Sequence, residues 1–143
     1  MSMIDSLLML SDDQALLATA DSESVIDFGA GLDVWAVARA HPEFADGKPM
    51  YLNVTVGTVL DSAGEAATLT ISLMTGAAAS CTTTVFSTAA LAEAVCAAGA
   101  ILLAMPLPLG LLRYIKLTYT VGTEDFTSGT INAWIGSEPA RAV

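Results

Sequence analysis

The sequence predicts an all-β protein, a sandwich or barrel of about eight short antiparallel strands. Apolar and polar residues alternate with a period of two in four separate runs, which is typical of strands that are buried on one face only. Gly, Pro, Asp and Ser, the residues that favour chain reversal, lie between these runs. The length of 143 residues suits one domain that needs no disulfide or metal to bury a core.

The four alternating runs define the main strands. They are MYLNVTVGTVL (50–60), ATLTISLM (67–74), RYIKLTYTV (113–121) and GTINAWIG (129–136). In the first run, Leu52, Val54 and Val56 face one way, and Asn53 and Thr55 are expected on the opposite, polar face. Parallel strands covered on both faces would be apolar throughout, so we expect antiparallel pairing.

Shorter strands complete the predicted sheets. They are expected at residues 14–19, 24–28, 82–86 and 100–105, which gives about eight strands at the close spacing of a sandwich or barrel. Turns are expected at DSAGEA (61–66), PLPLG (106–110) and GTEDFTSG (122–129).

Helical structure should be confined to one or two turns. Residues 88–98 are rich in Ala and end before Gly99, and residues 34–40 could also be briefly helical. We expect residues 1–143 to form one domain, with residues 1–13 as a candidate N-terminal arm and residues 137–143 as a C-terminal tail.

The stretch VIDFGAGLD, residues 25–33, resembles the opening of a dinucleotide-binding or S-adenosylmethionine-binding fold. Such a site needs three glycines and a βαβ unit around them. After Gly29 and Gly31 the third glycine is missing, and no alternation of strand and helix follows Met50. We interpret the stretch as a short strand and a turn, and we expect no cofactor.

The charge balance bears on the class of partner. The net charge is −10, from 15 acidic and five basic residues, and charged residues make up only 14% of the chain. Phosphate binding requires clustered Lys and Arg, whereas the basic residues here are scattered, so we expect no direct nucleic-acid partner. Ser, Thr and Ala replace charge as surface material, and part of that surface could lie against a partner protein.

Cysteine spacing and hydropathy indicate no metal or membrane. Cys81 and Cys96 match no metal or redox spacing, so buried free thiols are expected, with a disulfide as the alternative. The apolar stretch at residues 97–112 is short for a bilayer, and Pro106 and Pro108 interrupt it. The N-terminus shows no cleavable leader, which favours the cytoplasm as the place of synthesis.

The sequence offers few catalytic candidates. His41, the one histidine, precedes Pro42 in an acidic, irregular stretch, and no nucleophile has a recognisable setting beside it. The adjacent acids Asp12–Asp13 and Glu124–Asp125 are of a kind that is usually solvated. Paired glycosidase carboxylates need only converge in space, but we expect no enzyme, no catalytic residues and no metal.

Two features indicate contact with a partner. Trp134 falls on the otherwise polar face of its strand, and Trp is enriched at protein interfaces; alternatively, another part of the same chain covers it. The apolar N-terminal piece, residues 1–14, either forms an edge of the sandwich, which we favour, or reaches a neighbouring molecule. The candidate contact residues are Met3, Ile4, Leu7, Leu8 and Trp134.

Four segments carry a family resemblance. They are, in chain order, SDDQALLATADSESVIDFG (11–29), GKPMYLNVTV (47–56), ATLTISLMT (67–75) and LPLGLLRYIKLTYTVG (107–122). Together they resemble the capsid cement, or decoration, proteins of tailed bacteriophages, typified by that of a Bordetella podophage. The resemblance covers most of the chain, and its most specific part leads into the strand RYIKL.

The resemblance implies a jelly-roll-like β-sandwich that binds the outer face of a capsid shell and reinforces contacts between major capsid proteins. It implies two partners, the major capsid protein and further copies of the same chain, with a dimer favoured over a trimer. It places the protein in the virion after synthesis in the bacterial cytoplasm. It carries over no catalytic residues.

Two other classes of function stay open. A carbohydrate-binding or adhesin-like β-module of a virion or cell surface would use the same fold. Such a module should show a shallow groove with two or more coplanar aromatic rings. An enzyme would show two converging carboxylates in a cleft, or His41 within hydrogen-bond reach of a nucleophile.

Overall fold

The computed structural model describes residues 9–27, 50–108, 111–136 and 138–140. Its strands are β1 (Met9–Ala15), β2 (Ala20–Asp21), β3 (Ile26–Asp27), β4 (Tyr51–Val56), β5 (Asp61–Ser62), β6 (Thr68–Gly76), β7 (Thr83–Ser87), β8 (Leu91–Ala92), β9 (Ile101–Pro106), β10 (Tyr114–Gly122), β11 (Phe126–Ser128) and β12 (Thr130–Gly136). One turn of 3-10 helix, Glu93–Val95, lies between β8 and β9.

The strands form two main antiparallel sheets. The first has the order β1-β12-β4-β9, and the second has the order β2-β10-β6-β7, with β3 also on β10 and β8 also on β6. Counting only these eight ordered strands along the chain, the sheets read 1-8-3-6 and 2-7-4-5. This is the strand order of a jelly roll, in which the chain crosses repeatedly between two four-stranded sheets. The predicted antiparallel β-sandwich of about eight strands is therefore confirmed.

The hydrophobic core lies between the two sheets. It is formed by the apolar residues that alternate with polar residues along the main strands. In the longest pairing, β10 with β6, Leu117 lies opposite Leu73 and Tyr119 opposite Ile71, and all four side chains are fully buried. The first sheet contributes buried residues such as Ile131. Each fully buried aliphatic side chain contributes about 1.5–3 kcal/mol, so the facing rows of side chains stabilise the sandwich.

A buried polar contact joins the two sheets through the core. The hydroxyls of Tyr119 on β10 and Ser11 on β1 share a hydrogen bond of 2.8 Å, and Ser11 also donates to Gln14 Oε1 at 2.7 Å. Burial raises the pKa of Tyr119 above its ordinary range. The tyrosine therefore stays protonated and keeps its hydrogen-bonding hydrogen.

Four connections meet at one end of the sandwich, which we call the loop end: residues 16–19, 57–67, 88–100 and 122–130. Backbone hydrogen bonds tie them together, from Leu16 N to Gly129 O at 3.1 Å and from Leu60 N to Cys96 O at 3.2 Å. The small ribbon of β5 and β11 also lies here. The turns predicted at residues 61–66 and 122–129 thus contain short strands as well.

The structure corrects the first predicted strand. Strand β1 covers Met9–Ala15 instead of residues 14–19, because register shifts between Met9 and Ser11 and between Ser11 and Gln14 break the alternation. The expected helical turn within residues 88–98 is present as Glu93–Val95, whereas residues 34–40 lie outside the described residues.

The two cysteines are free and buried, as the sequence predicted. Burial raises the pKa of both thiols, and the Cys96 thiol donates to the Ala92 carbonyl at 3.6 Å. Both cysteines therefore serve as small apolar side chains in the fold.

Candidate docking surfaces

Of the candidate contact residues, the structure describes Trp134; Met3, Ile4, Leu7 and Leu8 lie outside the described residues. Trp134 lies in β12 and points outwards from the first sheet. Its direct neighbours across the sheet are Met9 on β1 and Asn53 on β4. The described part of the N-terminal piece thus forms an edge strand of the sandwich, and its first residue lies beside Trp134.

The indole of Trp134 packs along its own strand. A Cβ atom placed on Gly136 would lie 3.5 Å from both Cδ1 and Nε1 of Trp134, so the ring lies next to the bare backbone of Gly136. Nε1 is buried and has no hydrogen-bond partner among the described residues. The ring is partly exposed, so Trp134 combines a covered polar atom with an accessible apolar surface.

Asn53 departs from the predicted pattern, since it is fully buried on a face expected to be polar. Its Nδ2 donates to the Glu138 carbonyl at 3.1 Å, and its Oδ1 accepts from the Ala140 N–H at 2.8 Å. The segment 138–140 therefore covers this part of the outer face, immediately beside Trp134. The segment 138–140 thus packs on Asn53, the neighbour of Trp134 across the sheet.

The outer face of the second sheet is rich in hydroxyl groups. It carries the side chains of Thr68, Thr70, Ser72, Thr84, Ser87, Thr118 and Thr120. The ring of Tyr114 lies at one end of this face, where β10 begins. Few of these side chains could anchor a partner through apolar burial, so the face is suited to solvent or to polar contacts.

Two ion pairs border the hydroxyl-rich face. Arg113 binds Asp27 through Nε and Nη2 at 2.8 and 3.0 Å, and its guanidinium lies 4.8 Å from the centre of the Tyr114 ring. Lys116 binds Asp21 at 3.0 Å, and this hydrogen bond lowers the pKa of Asp21. Neither ion pair could be predicted from a local pattern, because the partners lie 86 and 95 residues apart.

Two carboxylates converge at the loop end. Glu93 and Glu124 both accept from the Ser62 hydroxyl, and Glu124 also accepts from the N–H groups of Gly64 and Ala66 at 2.9 Å. The Ala66 N–H and then the Ser62 hydroxyl lower the pKa of Glu124. Glu124 is therefore held as a carboxylate, which ties residues 62–66 to β10.

This pair has a structural role, since both carboxylates hold the buried Ser62 hydroxyl. His41 lies outside the described residues. Within the ranges that the structure describes, no group of three or more His, Cys, Asp and Glu side chains could hold a metal ion.

The fold and its surfaces define a jelly-roll protein with two differing outer faces and a tied loop end. A family model named Bbp16 matches residues 10–135. The chain belongs to this family of phage proteins, which confirms the resemblance at the level of a phage family. No curated protein matches the chain. In the described part of the chain, no helix is long and apolar enough to cross a membrane.

Proposed function

We propose that this protein is a capsid cement protein, which binds the outer surface of the shell and stabilises contacts between major capsid proteins. The observation that carries the proposal is that a phage-family chain folds as a jelly roll over most of its length. Several of its charged side chains bond within the scaffold, as Glu124, Asp21 and Arg113 do. We propose no enzymatic activity and no cofactor.

The physical requirements of cement fit this scaffold. A shell presents many copies of one composite surface, so weak individual contacts add up through multivalency. A protein that binds the assembled shell and not its separated subunits shifts the equilibrium towards the shell by mass action. The connections of the loop end lose little conformational entropy on docking, because hydrogen bonds already tie them together.

We also propose self-association, with a dimer favoured over a trimer. The edge strand β9 supports it, since β9 pairs with β4 on one side and has no strand neighbour on the other among the described residues. Its sequence, ILLAMP, is free of charge and only partly buried. Natural proteins usually protect such apolar edges with charges, bulges or a cover.

A reconstitution experiment tests the cement function. Purified protein is added to shells that lack it, and the temperature of shell disruption and the resistance to chelators are measured. We expect both to rise with added protein until the sites are saturated, and buffer alone or an unrelated acidic β-protein should have no effect. An unchanged disruption temperature at saturating protein would contradict the proposal.

One observation favours the carbohydrate-binding alternative. Tyr51 and Trp134 lie diagonally across β4 and β12 on the same outer face, close enough for aromatic side chains to interact. Asn132 and Asp13, which bond to each other at 3.3 Å, supply polar groups on that face. Strong hits on a glycan array together with no binding to shells would favour this function over cement.

A further inference from the structure

Exposed aliphatic side chains are concentrated at the loop end. Leu17, Val59 and Val95 are 47%, 46% and 51% exposed, and they lie on three different connections. The other large apolar side chains that the described residues expose are Val25 and Leu112. Three aliphatic side chains held at one end of a small sandwich are the kind of surface that marks protein contact.

Backbone contacts hold together the segments that carry these three side chains. Leu16 donates its N–H to the Gly129 carbonyl at 3.1 Å, and a Cβ on Gly129 would lie 2.9 Å from the Val59 carbonyl. Leu60 in turn donates to the Cys96 carbonyl at 3.2 Å. Leu17, Val59 and Val95 each adjoin one of these tied positions, so the backbone brings all three to the same end of the sandwich, and we call them the aliphatic rim.

Among the described residues, the charged side chains at this end are all acidic. The carboxylates of Asp61, Glu65, Glu93, Glu124 and Asp125 belong to the connections of the loop end. The two basic residues that the structure describes, Arg113 and Lys116, lie at the start of β10 and are ion-paired. Glu124 follows the end of that nine-residue strand, so the acidic and basic groups lie at opposite ends of it.

The sign of the charge selects the kind of partner. Two copies meeting through their loop ends would bring two sets of carboxylates together, which is unfavourable. Nucleic acid would be repelled in the same way. A protein surface with Lys or Arg around an apolar centre would pair with the carboxylates and bury Leu17, Val59 and Val95.

We propose that the loop end is the docking surface of this protein for a basic protein surface with an apolar centre. The inference rests on the proposed cement function, in which that surface belongs to the outer face of the shell. The aliphatic rim supplies the buried contact, and the carboxylates provide orientation and faster association.

A cosedimentation assay with shells that lack the protein tests the aliphatic rim. The double variant Val59→Ser/Val95→Ser should bind at least about tenfold more weakly, since it removes two buried aliphatic side chains from the contact. Leu112→Ser is the matched control, because Leu112 is 46% exposed, as Val59 is, and lies outside the loop end. It should bind as the unsubstituted protein does.

A second experiment tests the carboxylates of the loop end. It remains informative even if the Val59→Ser/Val95→Ser variant fails to fold. Glu65→Gln/Asp125→Asn changes two exposed carboxylates and should weaken shell binding several-fold, whereas Asp12→Asn on β1 should not. Binding of the unsubstituted protein should also weaken when salt rises from about 0.05 M to about 0.5 M, because salt screens exposed charges.

The outcomes separate the two proposals. If the unsubstituted protein binds shells and both loop-end variants bind equally well, the docking surface is wrong and the cement function stands. Equal weakening by Leu112→Ser would also overturn the loop-end assignment. If the unsubstituted protein does not bind shells at all, the cement function fails and this inference fails with it.

Discussion

At the scale of single residues, Trp134 and Asn53 lie side by side on the outer face of the first sheet and differ in how their polar atoms are satisfied. Asn53 uses its amide to hold the segment 138–140. Trp134 has a buried Nε1–H with no partner among the described residues. Because Nε1 is covered, the part of Trp134 that a partner can contact is the apolar surface of its ring.

We predict that Trp134→Ala folds normally and weakens self-association, because the ring lies on the same outer face of the first sheet as Ala104 of the edge strand β9. Because the residue is partly exposed, its loss should cost less than the roughly 3–5 kcal/mol typical of a buried aromatic side chain. Urea unfolding and light scattering after gel filtration measure the two effects. Trp134→Phe is the control, since it keeps an aromatic ring on the outer face while it loses the pyrrole part of the indole with its N–H. A large loss of monomer stability in Trp134→Ala would show that Trp134 belongs to the core.

Glu124 gives a prediction about pH. Its pKa is lowered from 4.5 in the folded protein, so the folded state releases this proton more readily than the unfolded state. The ionised Glu124 therefore stabilises the folded state above about pH 4.5, and this stabilisation is lost as the pH falls through the lowered pKa. We predict that Glu124→Gln lowers the melting temperature at pH 7 and that its difference from the unsubstituted protein shrinks in acid.

The matched control for Glu124 is Asp125→Asn, which changes the neighbouring acid on the same connection. It should leave the melting temperature at pH 7 nearly unchanged. A constant difference between Glu124→Gln and the unsubstituted protein from pH 7 down to about pH 2 would contradict the role of the carboxylate.

At the scale of elements, the sequence predicts a strand best where one face of that strand packs on the core and the other face meets solvent. Strand β12 follows the two-residue alternation throughout, and β6 and β10 follow it up to their last residues. Strand β1 departs from it because of its register shifts, and β4 departs from it at Asn53, which the tail covers. Bulges and long-range cover depend on contacts between distant segments, which a local pattern does not contain.

The junction between β11 and β12 depends on Gly129. Its φ is +129°, a conformation that essentially only glycine adopts, and a Cβ there would lie 2.7 Å from the Leu60 Cα. We predict that Gly129→Ala lowers the free energy of unfolding by at least about 1–3 kcal/mol.

Gly99→Ala is the control for Gly129, since Gly99 also has a positive φ, of +78°, but has open space around it. It should cost only the conformational strain, about 1–2 kcal/mol, and less than Gly129→Ala in the same urea titration. Equal effects of the two variants would show that the packing against Leu60 does not matter.

The edge strand β9 gives a prediction about self-association. Ala104 is exposed and pairs with Asn53 at the edge of the first sheet. We predict that Ala104→Lys keeps the fold and reduces the oligomer to the monomer, because a charge on an edge strand opposes pairing. Light scattering after gel filtration measures the mass. Ser87→Lys on β7, the edge of the other sheet, should leave the oligomer intact; a matching loss would contradict the role of β9.

At the scale of the whole molecule, the jelly roll joins parts of the chain that are far apart in sequence. Gln14 on β1 lies opposite Ile131 on β12, and the loop end assembles Leu17, Val59 and Val95. The sequence pattern predicted most of the strands, the sandwich and the free thiols. The jelly-roll order of the strands within the sheets was implied only by the family resemblance. The loop end was missed because exposure of an aliphatic side chain follows from the packing of several connections.

The most direct test of the cement function is an electron cryomicroscopy reconstruction of shells saturated with the purified protein. The account predicts density for the jelly roll on the outer face, bridging neighbouring major capsid proteins, with the loop end towards the shell. Shells with a bare outer face at saturating protein, or density that touches only a single major capsid protein, would contradict it.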